Sequence, residues 1–171
     1  MKFLTPKQLM LTLGGITIFG MFVATTKKVI TPLLLSPREK VVAAAESQLG
    51  KDDASKYWKD VMPETTYWPI NWCGAFALWS LHQAGLAKNW FWENGIGFLY
   101  RLPQTKNPKP GDVAYFNNMQ HQAVVKSVNA NGTITLINGN SVNKKVAEST
   151  VDKKAVTAFY SIEPLLEKKN G

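Results

Sequence analysis

A chain of 171 residues with 45% apolar side chains, including six Trp, eight Phe and five Tyr, has the mass for one folded domain and a short appendage, which excludes a disordered chain. A single cysteine excludes an intrachain disulfide, and one Cys with two widely separated His makes no convincing zinc set, so neither a metal nor a cofactor is expected. The formal charge of +8 is uneven: residues 1–35 hold Lys2, Lys7, Lys27 and Lys28 with no acid, and the +4 left on residues 36–171 is too mild to argue for nucleic acid and suits an anionic surface.

The first predicted element is QLMLTLGGITIFGMFVATT, residues 8–26, which runs 19 residues without a charge between Lys7 and Lys27. That length spans a bilayer as a helix. No small-x-small cleavage site stands near Ala24, so a retained signal anchor is the preferred reading over a cleaved leader. Basic residues on both sides leave its orientation open. The chain then divides into an anchor and linker at 1–35 and a globular domain at 36–171.

That domain opens with SPREKVVAAAESQLG, where Ser36 at the N-cap, Pro37 at the first helical position and Glu39 form a capping box, and Gly50 closes a helix of about three turns. Residues 51–71, interrupted by Pro63 and Pro69, predict a short helix over 57–61 and an irregular approach to Cys73. In NWCGAFALWSLHQAG the apolar Phe76, Leu78, Trp79 and Leu81, the absence of internal proline and the closing Gly85 predict a helix with Cys73 in its first turn. Unpaired N–H groups and the helix dipole at that place should pull the thiol toward thiolate. A further short helix is expected in WFWENGIGFLYRLPQ. Past the turn NPKPGD the period changes to β-branched and aromatic segments at 113–116, 123–128, 133–137, 144–151 and 156–162, with NANG at 129–132 as a hairpin turn. Helices followed by an antiparallel meander make an α+β domain.

A nucleophilic cysteine needs a base for its proton and a polar group to orient that base. His82 follows Cys73 by nine residues in one helix, which at about 100° per residue turns it to the opposite face, as a polar residue on the helix's outer side. His121, at a strand start, is the alternative. The hairpin returns through TITLINGNS and brings Asn138 or Asn140 to the same edge, where an amide oxygen accepts from one imidazole nitrogen and leaves the other facing the thiol. Counting outward from Ala130 and Asn131 pairs His121 with Asn140 and Ala123 with Asn138. The backbone N–H of Cys73 with Tyr67 or Asn71 would form an oxyanion hole, and Trp68, Trp72, Trp90 and Trp92 are candidates for the walls of a substrate groove.

Four pieces in this order, REKVVAAAESQLG, NWCGAFALWSLHQAG, KPGDVAYF and HQAVVKSVNANGTITLINGNS, resemble the CHAP amidase/peptidases over residues 37 to 162. The resemblance implies a papain-like fold with N-terminal helices packed on an antiparallel sheet, Cys73 as nucleophile and His121 as base. Many members carry Glu where this chain has Asn138, with Asn140 matching the amide that follows, so the resemblance favours Asn138 as the orienting residue and leaves Asn140 beside the substrate. Gln122 stands where a small residue is usual. The implied function is hydrolysis of an amide in peptidoglycan peptides. A membrane tether through residues 8–26, with no wall-binding module, favours phage lysis or wall penetration by a virion over bacterial wall remodelling, with virion proteins as partners and the catalytic domain facing the wall or periplasm. The competing classes are an inactive membrane-anchored binding protein on the same fold and an acyltransferase.

Overall fold

The computed structural model describes residues 35–66, 71–92 and 97–167. The expected membrane segment at 8–26 lies outside these, as do Tyr67 and Trp68; among the described residues no helix is long and apolar enough to cross a membrane.

Helix α1, Pro37–Glu46, starts as its sequence dictates: Ser36 Oγ accepts from Glu39 N at 3.3 Å and Glu39 Oε2 accepts from Ser36 N at 2.7 Å. It ends a turn before Gly50, whose φ of 80° suits glycine. Asp53 caps α2, Ala54–Val61, by accepting from Lys56 N at 3.2 Å, so this helix begins three residues earlier than the apolar pattern suggested. Helix α3, Cys73–Gln83, is buried from Cys73 to Leu81 because α1, α2 and the sheet pack around it. Gly85, at φ 75°, closes it as expected. The segment after it forms a short 3-10 turn at Gly97–Arg101.

Six antiparallel strands follow: β1 Gln104–Thr105, β2 Val113–Phe116, β3 His121–Val128, β4 Thr133–Asn138, β5 Ala147–Asp152 and β6 Ala158–Tyr160. Their spatial order is β1-β6-β2-β3-β4-β5. The expected meander holds from β2 to β5, but β6 crosses back to lie between β1 and β2, a non-local pairing that no turn signal announces. A short helix α4, Glu163–Glu167, closes the described chain.

The sheet is buried on both faces. Val113, Tyr115, Val124 and Ile137 face the helices, whereas Ala114, Phe116, Ala123, Val125, Ile134 and Leu136 pack on the other side with Val156 and Phe159. Period-two alternation therefore reads as continuous apolar runs in β2 to β4. The KPGD turn has a structural reason: the buried Asp112 accepts from Arg38 of α1 at 2.8 Å, Lys109 N at 2.8 Å and Ile162 N at 3.0 Å, tying helix, turn and C-terminal segment together.

Candidate active site

Where β2 turns into β3 the chain makes a 3-10 turn at Asn117–Met119 and a left-handed residue at Gln120, φ 46°, before His121 pairs with Phe116. This exposed link rises beside the start of α3. A cavity of about 860 Å³ opens between them, lined by Asn71, Cys73, Trp92, Phe116, the residues 118–122, Asn138, Asn140, Ser141, Ser149 and Val151.

The strands bring His121 and Asn138 together by a route the sequence hid. Asn129 N bonds Thr133 O at 2.9 Å around a three-residue loop with Gly132 at φ 82°, which moves the register one residue from a two-residue count. A bulge at Lys126, between Val125 and Ser127, moves it back. Asn138 thus faces Ala123, one step along from His121, as the simple count gave for a different turn. His121, Ala123 and Asn138 share a face, and the diagonal is within reach of a side chain: His121 Nε2 and Asn138 Oδ1 lie 3.1 Å apart. An amide oxygen only accepts, so Nε2 holds the proton and Nδ1 keeps its lone pair. The amide nitrogen of Asn138 donates to Ser149 Oγ at 2.9 Å, Ala147 O at 3.1 Å and Leu136 O at 3.4 Å. Asn140, at φ 51°, lies past the end of β4 on the cavity wall.

Cys73 is only 7% exposed, with its Sγ 3.9 Å from the carbonyl oxygen of Gln120. Burial pushes its thiol up, and this outweighs the backbone N–H groups of Gln122, Gly74 and Cys73 that favour thiolate. The expected depression of the thiol at the helix start is thereby corrected: loss of water exceeds the gain from the helix end. Burial also pushes the His121 imidazole down, against the bond to Asn138, which raises it. Both shifts favour the neutral forms, thiol and imidazole.

The remaining expectations divide. Asn71 is exposed at the cavity edge. Trp72 is no groove residue: it is 3% exposed and stacks on Tyr57 with ring centroids 5.2 Å apart, in the helical core. Trp92 lines the cavity, while Trp90 holds the Arg101 guanidinium over its ring at 5.4 Å. Gln122, on the cavity wall, brings its Nε2 close to Gly74 of α3. His82 is on the side of α3 away from the cavity, as its phase required, yet it is not an outer surface residue: its Nδ1 meets Asp60 Oδ2 of α2 at 2.6 Å and the side chain is 9% exposed. Sequence reasoning missed Ser149 and Gly74. Alternation along β5 could have singled out Ser149 only with that strand's bounds known. Among the described residues no cluster of His, Cys, Asp and Glu is set to hold a metal.

No curated protein and no solved structure matches this chain. Its residues 65–140, which contain Cys73, His121, Asn138 and Asn140, do match the family model of the CHAP domain, generally a hydrolase or amidase domain.

Proposed function

We propose that the protein hydrolyses an amide bond in peptidoglycan peptides, with Cys73 as nucleophile, His121 as general base and acid, and Asn138 as the residue that orients His121 on a papain-like scaffold. The observation that carries this reading is the 3.1 Å contact from His121 Nε2 to Asn138 Oδ1 in the cavity that Cys73 also lines. As Sγ bonds to the amide carbon, the thiol proton passes to His121 Nδ1; the C–N bond breaks and the leaving amine takes that proton. Water then attacks the thioester, giving its proton to the same nitrogen, and the thiol returns. The backbone N–H of Cys73 at the open end of α3, with Asn71 at the cavity edge, stabilises the oxyanion. Asn140 and Trp92 line the path of the peptide.

Residues 36–171 are the catalytic domain, and residues 1–35 tether it to a membrane through the uncharged segment 8–26, with the site facing the wall or periplasm. A tether supplies the local concentration that a wall-binding module otherwise provides, which fits phage lysis or wall penetration by a virion. Digestion of purified peptidoglycan by the full chain and by its Cys73→Ala variant, with new termini identified by mass spectrometry, tests the assignment. New amino and carboxyl termini from the wild type alone are the expected result; none from either chain would leave a binding protein, and transfer to an added amine in preference to water would make it an acyltransferase.

A further inference from the structure

We propose that Ser149 is a positioning residue that fixes the amide of Asn138, and through it the tautomer of His121, in a site built for an amide and not for a carboxylate. This rests on the assignment of Cys73, His121 and Asn138 above. Asn138 is 5% exposed, and its Nδ2 is ringed by two carbonyls that only accept, Ala147 O at 3.1 Å and Leu136 O at 3.4 Å, and by the hydroxyl oxygen of Ser149, which accepts from it at 2.9 Å. With its two hydrogens aimed there, the amide turns Oδ1 to His121 Nε2. Rotated by half a turn, it would set its oxygen against two backbone carbonyls and its NH2 against Nε2, and the imidazole would have to move its proton to Nδ1 to stay bonded. The base would then present N–H, not a lone pair, to the thiol.

Two of the three acceptors are backbone carbonyls that no substitution removes. Ser149 is the third. It pairs with Leu136 while Asn138 pairs with Ala147, so its hydroxyl reaches Asn138 across the diagonal of β4 and β5. A carboxylate at 138 would meet the oxygens of Ala147 and Leu136 with one hydroxyl hydrogen to set against them. Protonated, the same group donates one hydrogen on that side and accepts from Nε2 on the other, and so fits.

The test uses the full chain with 15N-labelled histidine, comparing the wild type with S149A, S149T and N138D. Nitrogen shifts report the tautomer of His121, and wall digestion reports kcat and KM. In the wild type the Nε2–H form dominates; S149A shifts His121 toward Nδ1–H and lowers kcat about tenfold with KM unchanged, and S149T restores most of both. N138D loses about a hundredfold in turnover at neutral pH and regains part as its carboxyl is protonated. A wild-type tautomer and kcat in S149A, or an N138D enzyme fully active at neutral pH, overturns the proposal. The tautomer is read without substrate, so a wild type that cuts no wall sinks the hydrolase assignment alone, while the nitrogen shifts still decide the role of Ser149.

Discussion

Gly139 joins the two halves of the site, and Gly139→Ala measures how tightly. A Cβ built there falls 2.5 Å from Phe76 Cβ, 2.7 Å from Cγ and 3.0 Å from Cδ1, against an ordinary 3.4–4 Å. Phe76 cannot yield: it is fully buried on α3, three residues past Cys73, stacked on Trp79 at 6.2 Å and met edge-on by Tyr57 at 5.2 Å. Relief therefore needs the end of β4 to back off by about 1 Å, an overpacking cost of about 3 kcal/mol. In a domain of this size that lowers Tm by roughly 10 °C. Asn138 is the adjoining residue, so its oxygen leaves the 3.1 Å contact with His121 and turnover falls with stability. Urea unfolding followed by tryptophan fluorescence reads the first effect, and clearing of a peptidoglycan suspension reads the second. Phe76→Ala removes two of the three offending atoms, so in a double-mutant cycle the pair should be coupled by about 1 kcal/mol or more. Strict additivity, or a Gly139→Ala loss below about 0.5 kcal/mol, would show that α3 and β4 are not in hard contact here.

Cys73→Ala or Cys73→Ser should abolish digestion with an unchanged unfolding curve; about a tenth of wild-type activity left in the Ala variant would remove the thiol from the chemistry. His121→Ala should be nearly as damaging, whereas His82→Ala, which breaks the 2.6 Å contact with Asp60, should cost about 1–2 kcal/mol of stability and leave turnover per folded molecule intact; equal turnover losses refute this division. Gly74→Ala drives a Cβ into the Trp92 ring and within 2.9 Å of Gln122 Nε2, so the groove wall shifts and KM for a soluble wall peptide should rise more than kcat falls. His121 is held below its ordinary 6.5, so its contribution to stability is complete above that value and is lost as pH falls through the folded value. Urea midpoints between about pH 7 and 5 should fall less in His121→Gln than in the wild type, and parallel curves would count against a buried neutral imidazole. Burial holds Cys73 above its ordinary 9.0, so its alkylation rate should still be climbing at that pH; a plateau near neutrality would reveal a thiolate–imidazolium pair instead.

Much of the helical half was legible because its signals are local. The Ser36–Glu39 box, the glycines at 50 and 85 and the phase between Cys73 and His82 each follow from a few adjacent residues. The preference for Asn138 over Asn140 came from the resemblance, because the hairpin count set Asn140 opposite His121; that count holds at the site only because the longer turn and the bulge at Lys126 cancel, and Asn138 meets His121 along the diagonal. What stayed hidden is non-local. Nothing near Ala158–Tyr160 says that this strand returns to the far side of β2, and the two-residue β1 exists because β6 is there to pair with it. Trp72 and Trp92 lie on either side of the same helix start, one in the core and one on the groove, a distinction set by what packs around α3 and not by residue type.

The electrostatics of the site follow from that same packing. A cysteine at an open, wet helix start would ionise, because the dipole and free N–H groups act on it at little cost. Here Gln120, Gln122 and Trp92 line the cavity at the start of α3, and the loss of water dominates, favouring the neutral forms of both thiol and imidazole. In the proposed reaction a neutral pair asks more of His121 geometry, since the proton would have to move as the sulfur attacks. It also makes a fixed tautomer matter, because only an unprotonated Nδ1 takes that proton, and Asn138 holds the hydrogen at Nε2 by offering nothing but an acceptor. The water exclusion that raises the thiol strengthens every dipole aimed at the developing oxyanion. In the proposed reaction, the N–H groups that favour thiolate less than burial opposes it would act when charge appears on the substrate.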